Sequence, residues 1–222
     1  MILSLEHNFI FVHVPKTAGS AMTKHLEPLG LPQTRPFWRS LSRKLPTVEK
    51  PGKAYLRQHD TALKIMTKLS PEVFHKFHRF AVVRNPYDHA VSHYEFMKTY
   101  RHKKYARAIA GLDFEGYLHY RMQPAGLFEK TFVRLPNQSY YLTDPSGEML
   151  VNRVMKFETL DTDWADLTAF LKLPSMSLAR INQSQSKPKN RSYQSYYNDT
   201  TKALVDQIYD ADFARFGYDR DL

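Results

Sequence analysis

The sequence predicts an α/β protein with a central, mostly parallel sheet flanked by helices, a three-layer arrangement. Two observations lead there. Three short apolar runs rich in β-branched and aromatic residues, at 8–14 (NFIFVHV), 80–83 (FAVV) and 151–157 (VNRVMKF), read as strands. Stretches of helical pattern separate them, and strands alternating with helices argue for a parallel sheet covered on both faces.

Residues 15–20 break the first strand, and 21–29 read as a short helix, so the chain begins with a strand–loop–helix unit. Residues 30–53 combine prolines with Arg, Lys and Trp38 and read as an irregular basic insertion. A helix is expected over 60–69, ended by Ser70-Pro71. After the second strand, Arg84-Asn85-Pro86 turns the chain into a helix over 87–100, with Pro86 suited to the first turn. A helix over 113–121 follows, then a turn-rich stretch over 136–147 around Tyr140 and Tyr141. Beyond the third strand, 163–171 reads as a helix capped by Asp161 or Thr162. Residues 181–193 are polar, basic and proline-containing, hence a loop. An amphipathic helix over 199–213 and the segment Phe216-Gly217-Tyr218 close the chain. No internal repeat or low-complexity segment is present.

The 222 residues fit one domain, 1–222, long enough to bury a core, and 42% hydrophobic with 14% aromatic content argues against disorder. The chain has no cysteine, which excludes disulfides, thiolate catalysis and cysteine-based zinc sites. No apolar run is long enough to span a bilayer, so no transmembrane segment is expected. Residues 1–11 carry Glu6 and His7 without a basic leader and do not read as a signal peptide, which makes the cytoplasm the expected compartment. The formal net charge of +10 suits a polyanionic partner: nucleic acid, an anionic glycan or a multiply phosphorylated nucleotide. It equally describes a solvated surface that leans positive. No zinc finger, basic zipper or RNA-recognition signature accompanies it, so nucleic acid is not the expected partner.

Two loops carry the chemistry. Val14-Pro15-Lys16-Thr17-Ala18-Gly19-Ser20 lies between a strand and a helix, where free backbone N–H groups and the positive helix end can hold a phosphate. Gly19 permits close approach, Thr17 and Ser20 add hydroxyls, and Lys16 adds a charge. The lysine precedes the glycine, so this is no Walker A loop. A tight turn that binds nothing is the alternative. The second loop, FAVVRNPYDHAVS over 80–92, places Arg84 at a strand end and Ser92 two helical turns on. A guanidinium offers a rigid fork of donors to a phosphate. Here the alternatives are an Arg84–Asp88 ion pair and a Ser92 that only lines a helix face.

HVPKTAGS (13–20) resembles the 5′-phosphosulfate loop of PAPS-dependent sulfotransferases (PAPS, 3′-phosphoadenosine 5′-phosphosulfate). It looks particularly like that of the glycan-directed group that includes heparan sulfate 2-O-sulfotransferase and its bacterial relatives. The 80–92 segment resembles that family's 3′-phosphate motif. PNQSYYLTDPSGEMLVNRVMKFETLDTDWADLTAFLKL is similar to a later family stretch. INQSQSKPKNRSYQSYYND with FARFGYD is similar to its cofactor-covering loop and closing helix. Residues 30–53 are the clear exception. The resemblance implies a P-loop-NTPase-like fold and, as cofactor, PAPS as sulfuryl donor, leaving adenosine 3′,5′-bisphosphate as product. It implies that Lys16, Thr17, Ala18, Gly19, Ser20 and Ala21 hold the 5′-phosphate and that Arg84 and Ser92 hold the 3′-phosphate. Lys187 and Arg191 fall in the covering loop, with Asn182 and Ser184 nearby; a solvated basic loop is the other reading.

By resemblance, the general base sits just before the helix leading into the second phosphate strand, which selects His59. An unperturbed histidine pKa near ~6.5 suits proton removal at neutral pH, and Asp60 or another acid could orient the ring. A structural histidine is the alternative. His13 reads as a packed strand residue. His75, His78, His89 and His93 show no metal pattern: His89 and His93 stand four apart, but no third ligand accompanies them, so no metal is expected. The implied reaction is an in-line displacement in which Lys16 stabilises charge on the departing oxygen. The rivals are a P-loop-type nucleotide kinase, which lacks its lysine and magnesium acid here, and a non-catalytic polyanion binder. The acceptor implied is a glycan or a small hydroxylated metabolite. Arg35, Trp38, Arg39, Arg43, Lys44, Tyr55 and Arg57 could form its wall or simply be a solvated loop. Many glycan-modifying relatives are anchored Golgi proteins, so a Golgi lumenal site would apply to a trimmed catalytic domain.

Overall fold

The two most apolar runs of the chain form the two central strands. The computed structural model describes residues 1–31, 48–100, 109, 111–124, 131–174 and 192–222. Its sheet contains β1 (Ile2–Ser4), β2 (Phe9–Val12), β3 (His78–Val83) and β4 (Arg153–Lys156) in the order β1-β2-β3-β4. The helices are α1 (Gly19–Leu26), α2 (Ala62–Leu69), α3 (Pro71–Phe74), α4 (Pro86–Lys98), α5 (Phe114–Met122), α6 (Thr131–Arg134), α7 (Ser139–Leu142), α8 (Leu160–Phe170), α9 (Asp199–Ile208) and α10 (Asp210–Phe216).

β2 pairs with β3, and β3 with β4, in parallel, in registers that set Phe11 beside Phe80 and Ala81 beside Val154. All of β2 and all of 79–83 are buried, so the central strands are covered on both faces, as an unbroken apolar run requires. The Phe80 ring lies 5.5 Å from each of the Phe9 and Phe11 rings. β4 lies at the edge of the sheet and buries only Met155. The architecture is therefore mixed α/β, with a mostly parallel sheet flanked by helices.

Three details differ from the sequence expectation. β1 is antiparallel to β2 and was not expected. Its three residues are too few to show a period, and a turn through Asn8, held at φ 50, brings them back along β2. The closing helix is two helices: at Tyr209 (φ −111, ψ 17) the backbone leaves the helical region, and α10 restarts at Asp210. α8 begins earlier than expected, at Leu160, so Asp161 and Thr162 lie inside it and neither is the cap. Asp163 instead accepts the Lys156 backbone N–H at 2.8 Å and so ties the helix to the end of β4.

The chain divides into two compact units. The first, Met1–Val14, Ala18–Val83 and Tyr140–Ala179, holds the sheet with α1, α2, α3 and α8. The second, Pro15–Thr17, Arg84–Ser139 and Arg180–Leu222, is helical among its described residues. Its core packs Tyr87, Val91, Tyr94 and Met97 of α4 with Tyr117 and Leu118 of α5 and with Val205, Tyr209 and Phe213.

In the first unit one carboxylate organises the segment that enters α2. Asp60, only 3% exposed, accepts from Lys68 Nζ at 2.6 Å and from the Arg57 N–H at 2.8 Å, and pairs with Lys64 Nζ at 3.1 Å. Lys68 also donates to the Tyr55 carbonyl at 2.8 Å. Burial alone would raise the Asp60 pKa, but these donors outweigh it and hold the carboxyl below its ordinary value. A depressed folded-state pKa contributes stability above the unfolded pKa that is lost as pH falls through the folded value. Asp60→Asn should therefore cost about 2–4 kcal/mol at neutral pH, with the deficit shrinking below pH ~4. Urea denaturation of both proteins across pH measures this, and a pH-independent difference would rule out the charge as its origin.

Candidate active site

The strand-to-helix loop after β2 has unusual backbone geometry. Lys16 (φ 66) and Ala18 (φ 65) both sit in the left-handed region that non-glycine residues seldom occupy, one on each side of buried Thr17. Left-handed residues within a loop turn successive N–H groups toward one side, the arrangement that makes anion-binding concavities. α1 starts directly afterwards with Ala18 as its N-cap and no side-chain capping bond. Ser20 is exposed at the helix start, whereas the Ala21 N–H is already bonded to the Ala18 carbonyl at 3.0 Å.

In the first unit, His13 and His59 come together. Their rings meet edge to face with centroids 4.6 Å apart, and His59 Nδ1 lies 3.2 Å from the His13 carbonyl. A carbonyl only accepts, so this bond places the proton on Nδ1 and leaves Nε2 of His59 as its basic nitrogen. The orienting group is thus a backbone carbonyl, and the Asp60 carboxylate is engaged by Lys64, Lys68 and the Arg57 N–H. Burial lowers the His59 pKa, with the His13 carbonyl working the other way. His13 is buried as expected of a packed residue, and burial followed by the neighbouring His59 drives its pKa well below the usual value. Its Nδ1 has no hydrogen-bond partner among the described residues.

Gly19 is required here for a reason the sequence did not disclose. A Cβ at that position would stand 1.9 Å from Cδ2 and Nε2 of the His13 ring. The glycine lets the start of α1 rest on a buried imidazole.

In the second unit, Arg84 is buried and multiply engaged. Its Nε and Nη2 donate to Asp88 Oδ2 at 2.6 and 2.5 Å, and its Nη1 donates to the Lys16 carbonyl at 3.3 Å. The Asp88 ion pair weighed from the sequence is therefore present, and the same guanidinium also grips the Lys16 loop. The Arg84 backbone is bracketed by Gln138, whose Oε1 accepts the Arg84 N–H and whose Nε2 donates to the Arg84 carbonyl, both at 2.8 Å. Gln138 is in turn held by Asp212 of α10, which accepts from the N–H groups of Gln138 and Ser139 and from the Ser139 hydroxyl. The Lys16 ammonium lies 4.2 Å above the Phe96 ring. Ser92 is buried on α4.

Lys187, Arg191, Asn182 and Ser184 lie outside the described residues, as do Arg35, Trp38, Arg39, Arg43 and Lys44. Gln138 and Asp212 were missed by the sequence reading. One sits in a turn-rich stretch and the other on a helix, with no motif to mark either. His89 and His93, weighed as a metal pair, instead place their Nδ1 atoms against the Tyr209 and Tyr117 hydroxyls. Among the described residues no helix is long and apolar enough to cross a membrane.

The model of the sulfotransferase family matches residues 1–219, nearly the whole chain. The chain belongs to that family: it is a sulfotransferase, an enzyme class that moves a sulfuryl group from PAPS to a hydroxylated acceptor. No curated protein and no solved structure gives a significant match.

The Gly19–His13 contact makes a testable prediction. Gly19→Ala should destabilise the protein by about 1–3 kcal/mol through overpacking, and most of that cost should vanish in a His13→Ala background. Denaturation of the four proteins of this cycle measures it; an equal cost in both backgrounds would mean the imidazole is not the obstacle.

Proposed function

We propose that this sulfotransferase carries sulfuryl groups to a hydroxyl of a glycan or a small hydroxylated metabolite, with Lys16 at the reacting centre and His59 as general base. The observation that supports the reading most is the Lys16 loop. It has two left-handed residues around Thr17, directly ahead of a helix whose first turn has no side-chain cap. Backbone N–H groups so arranged suit a phosphate, and the Lys16 charge suits the oxygen that departs from sulfur. The donor set thus fits PAPS, which supplies a sulfuryl group already activated as a mixed anhydride.

Each residue then has a distinct task. Nε2 of His59, the nitrogen left basic by the His13 carbonyl, takes the proton from the acceptor hydroxyl as the new O–S bond forms. Lys16 stabilises the negative charge left on the bridging oxygen as the old S–O bond breaks, an interaction strongest in the transition state. Thr17, Ala18, Gly19, Ser20 and Ala21 serve the 5′-phosphate, Ala21 through the helix end rather than its own N–H. Arg84 and Ser92 serve the 3′-phosphate; Arg84 is pre-aimed by Asp88 and Gln138, which fix both its fork and its backbone. Lys187 and Arg191 are assigned to the nucleotide phosphates by resemblance. The basic residues of 30–53 are assigned to the acceptor, where an acidic glycan would meet their charge.

Lys16→Ala should lower the rate of sulfuryl transfer from radiolabelled PAPS by about 10³-fold or more while changing affinity for adenosine 3′,5′-bisphosphate far less. Turnover within about tenfold of wild type would remove Lys16 from the chemistry. A base must be unprotonated, and burial lowers the His59 pKa, so kcat/KM should hold through pH ~6.5 and decline only below it. That acid limb should disappear in His59→Ala; an unchanged limb would point to another base.

A further inference from the structure

The left-handed Lys16 peptide needs an explanation, because a non-glycine residue at φ 66 costs about 1–3 kcal/mol and persists only where its surroundings hold it. Two hydrogen bonds do so, both from the segment that opens with Arg84 and runs into α4. Arg84 Nη1 donates to the Lys16 carbonyl, and His89 Nε2 lies 2.8 Å from the Pro15 carbonyl. Consecutive carbonyls of the loop are thus fixed on either side of the Lys16 α-carbon.

The second of these bonds ends a chain whose direction can be read atom by atom. The Pro15 carbonyl only accepts, so His89 Nε2 carries the proton and Nδ1 presents a lone pair. Nδ1 stands 2.9 Å from the Tyr209 hydroxyl, which must therefore donate to it. The Tyr209 oxygen accepts from Arg121 Nη1 at 3.0 Å, and Arg121 can only donate. The same guanidinium is fixed by the Arg134 and Leu135 carbonyls, to which Nε and Nη2 donate. Arg121, Tyr209 and His89 are all buried, so each bond is made away from water and polarises the next. Burial keeps the imidazole uncharged, its pKa pushed down to about 3. The break between α9 and α10 falls at Tyr209 itself, where the backbone departs from helical geometry.

We propose that His89 is a positioning residue for Lys16: its Nε2–H, oriented by Tyr209 and Arg121, pins the Pro15 carbonyl and so fixes the peptide from which the Lys16 ammonium is presented. The inference rests on the reading that Lys16 acts at the departing oxygen. Histidine suits the task because one ring supplies a donor to the loop and an acceptor to the tyrosine, about 2.2 Å apart across the ring, in a rigid plane.

The test compares His89→Leu, which removes both functions, with His89→Gln, whose amide can still donate toward Pro15. His89→Leu should lower kcat by about 10- to 100-fold, with affinity for adenosine 3′,5′-bisphosphate changed by less than about threefold. His89→Gln should restore most of kcat at similar melting temperature. A kcat for His89→Leu within about threefold of wild type, or a His89→Gln no better than His89→Leu, overturns the proposal. Should His89→Leu fail to fold, nitrogen-15 NMR of the wild-type imidazole decides independently of any transfer assay. The expected state is a neutral ring protonated at Nε2 throughout about pH 5–8, and a proton on Nδ1 overturns it. Loss of the Lys16 role would instead appear as an active Lys16→Ala variant with this tautomer intact.

Discussion

The second unit depends on one constraint: a lysine held in a backbone conformation that its side chain disfavours. Lys16 gains its place from hydrogen bonds to its own carbonyl and to that of Pro15, made by Arg84 and His89. Each donor is itself held from behind. Gln138 and Asp212 fix the Arg84 backbone, Asp88 fixes its guanidinium, and Tyr209 with Arg121 fixes His89. Two residues near the chain's end, Tyr209 at the break of the closing helix and Asp212 just after it, are thus linked through these hydrogen bonds to a loop near its beginning. Asp212 is buried, and burial raises its pKa against the pull of its donors, so the anchor works in a dry setting where its bonds are strong.

Burial also separates the charges that must persist from the groups that must stay neutral. His13, His59 and His89 are all driven below the ordinary histidine range, chiefly by desolvation. On the proposed reading Lys16 and Arg84 supply the positive charge, while the neutral imidazoles divide the tasks of base, packing and hydrogen bonding. A charged His89 could not accept from Tyr209, and a charged His59 could not take a proton.

Much of this was legible in the sequence. The apolar runs located the central strands because both of their faces are buried, and the two loops stood out because their Gly, Lys, Arg and hydroxyl residues are types that suit a phosphate, the reading on which the proposed function rests. β1 was not legible, since three residues carry no period and their pairing is fixed by the Asn8 turn. The break at Tyr209 was hidden because the apolar period runs straight through it; only the partners of Tyr209 and Asp212, remote in sequence, reveal it. Gln138, Asp212 and the His89 chain escaped for the same reason: they act through single long-range hydrogen bonds that leave no spacing to read. Gly19 was read as room for a ligand, and the structure adds that it is room for the His13 ring.

The most direct measurement is calorimetric titration of the wild-type protein with adenosine 3′,5′-bisphosphate, with AMP and ATP as controls and no magnesium present. A two-phosphate site built on the Lys16 loop and Arg84 predicts tighter binding of the bisphosphate than of AMP by about 1.5–3 kcal/mol, the worth of a charge-assisted contact to the second phosphate. Equal affinity for AMP and the bisphosphate, or binding of ATP alone and only with magnesium, would contradict it.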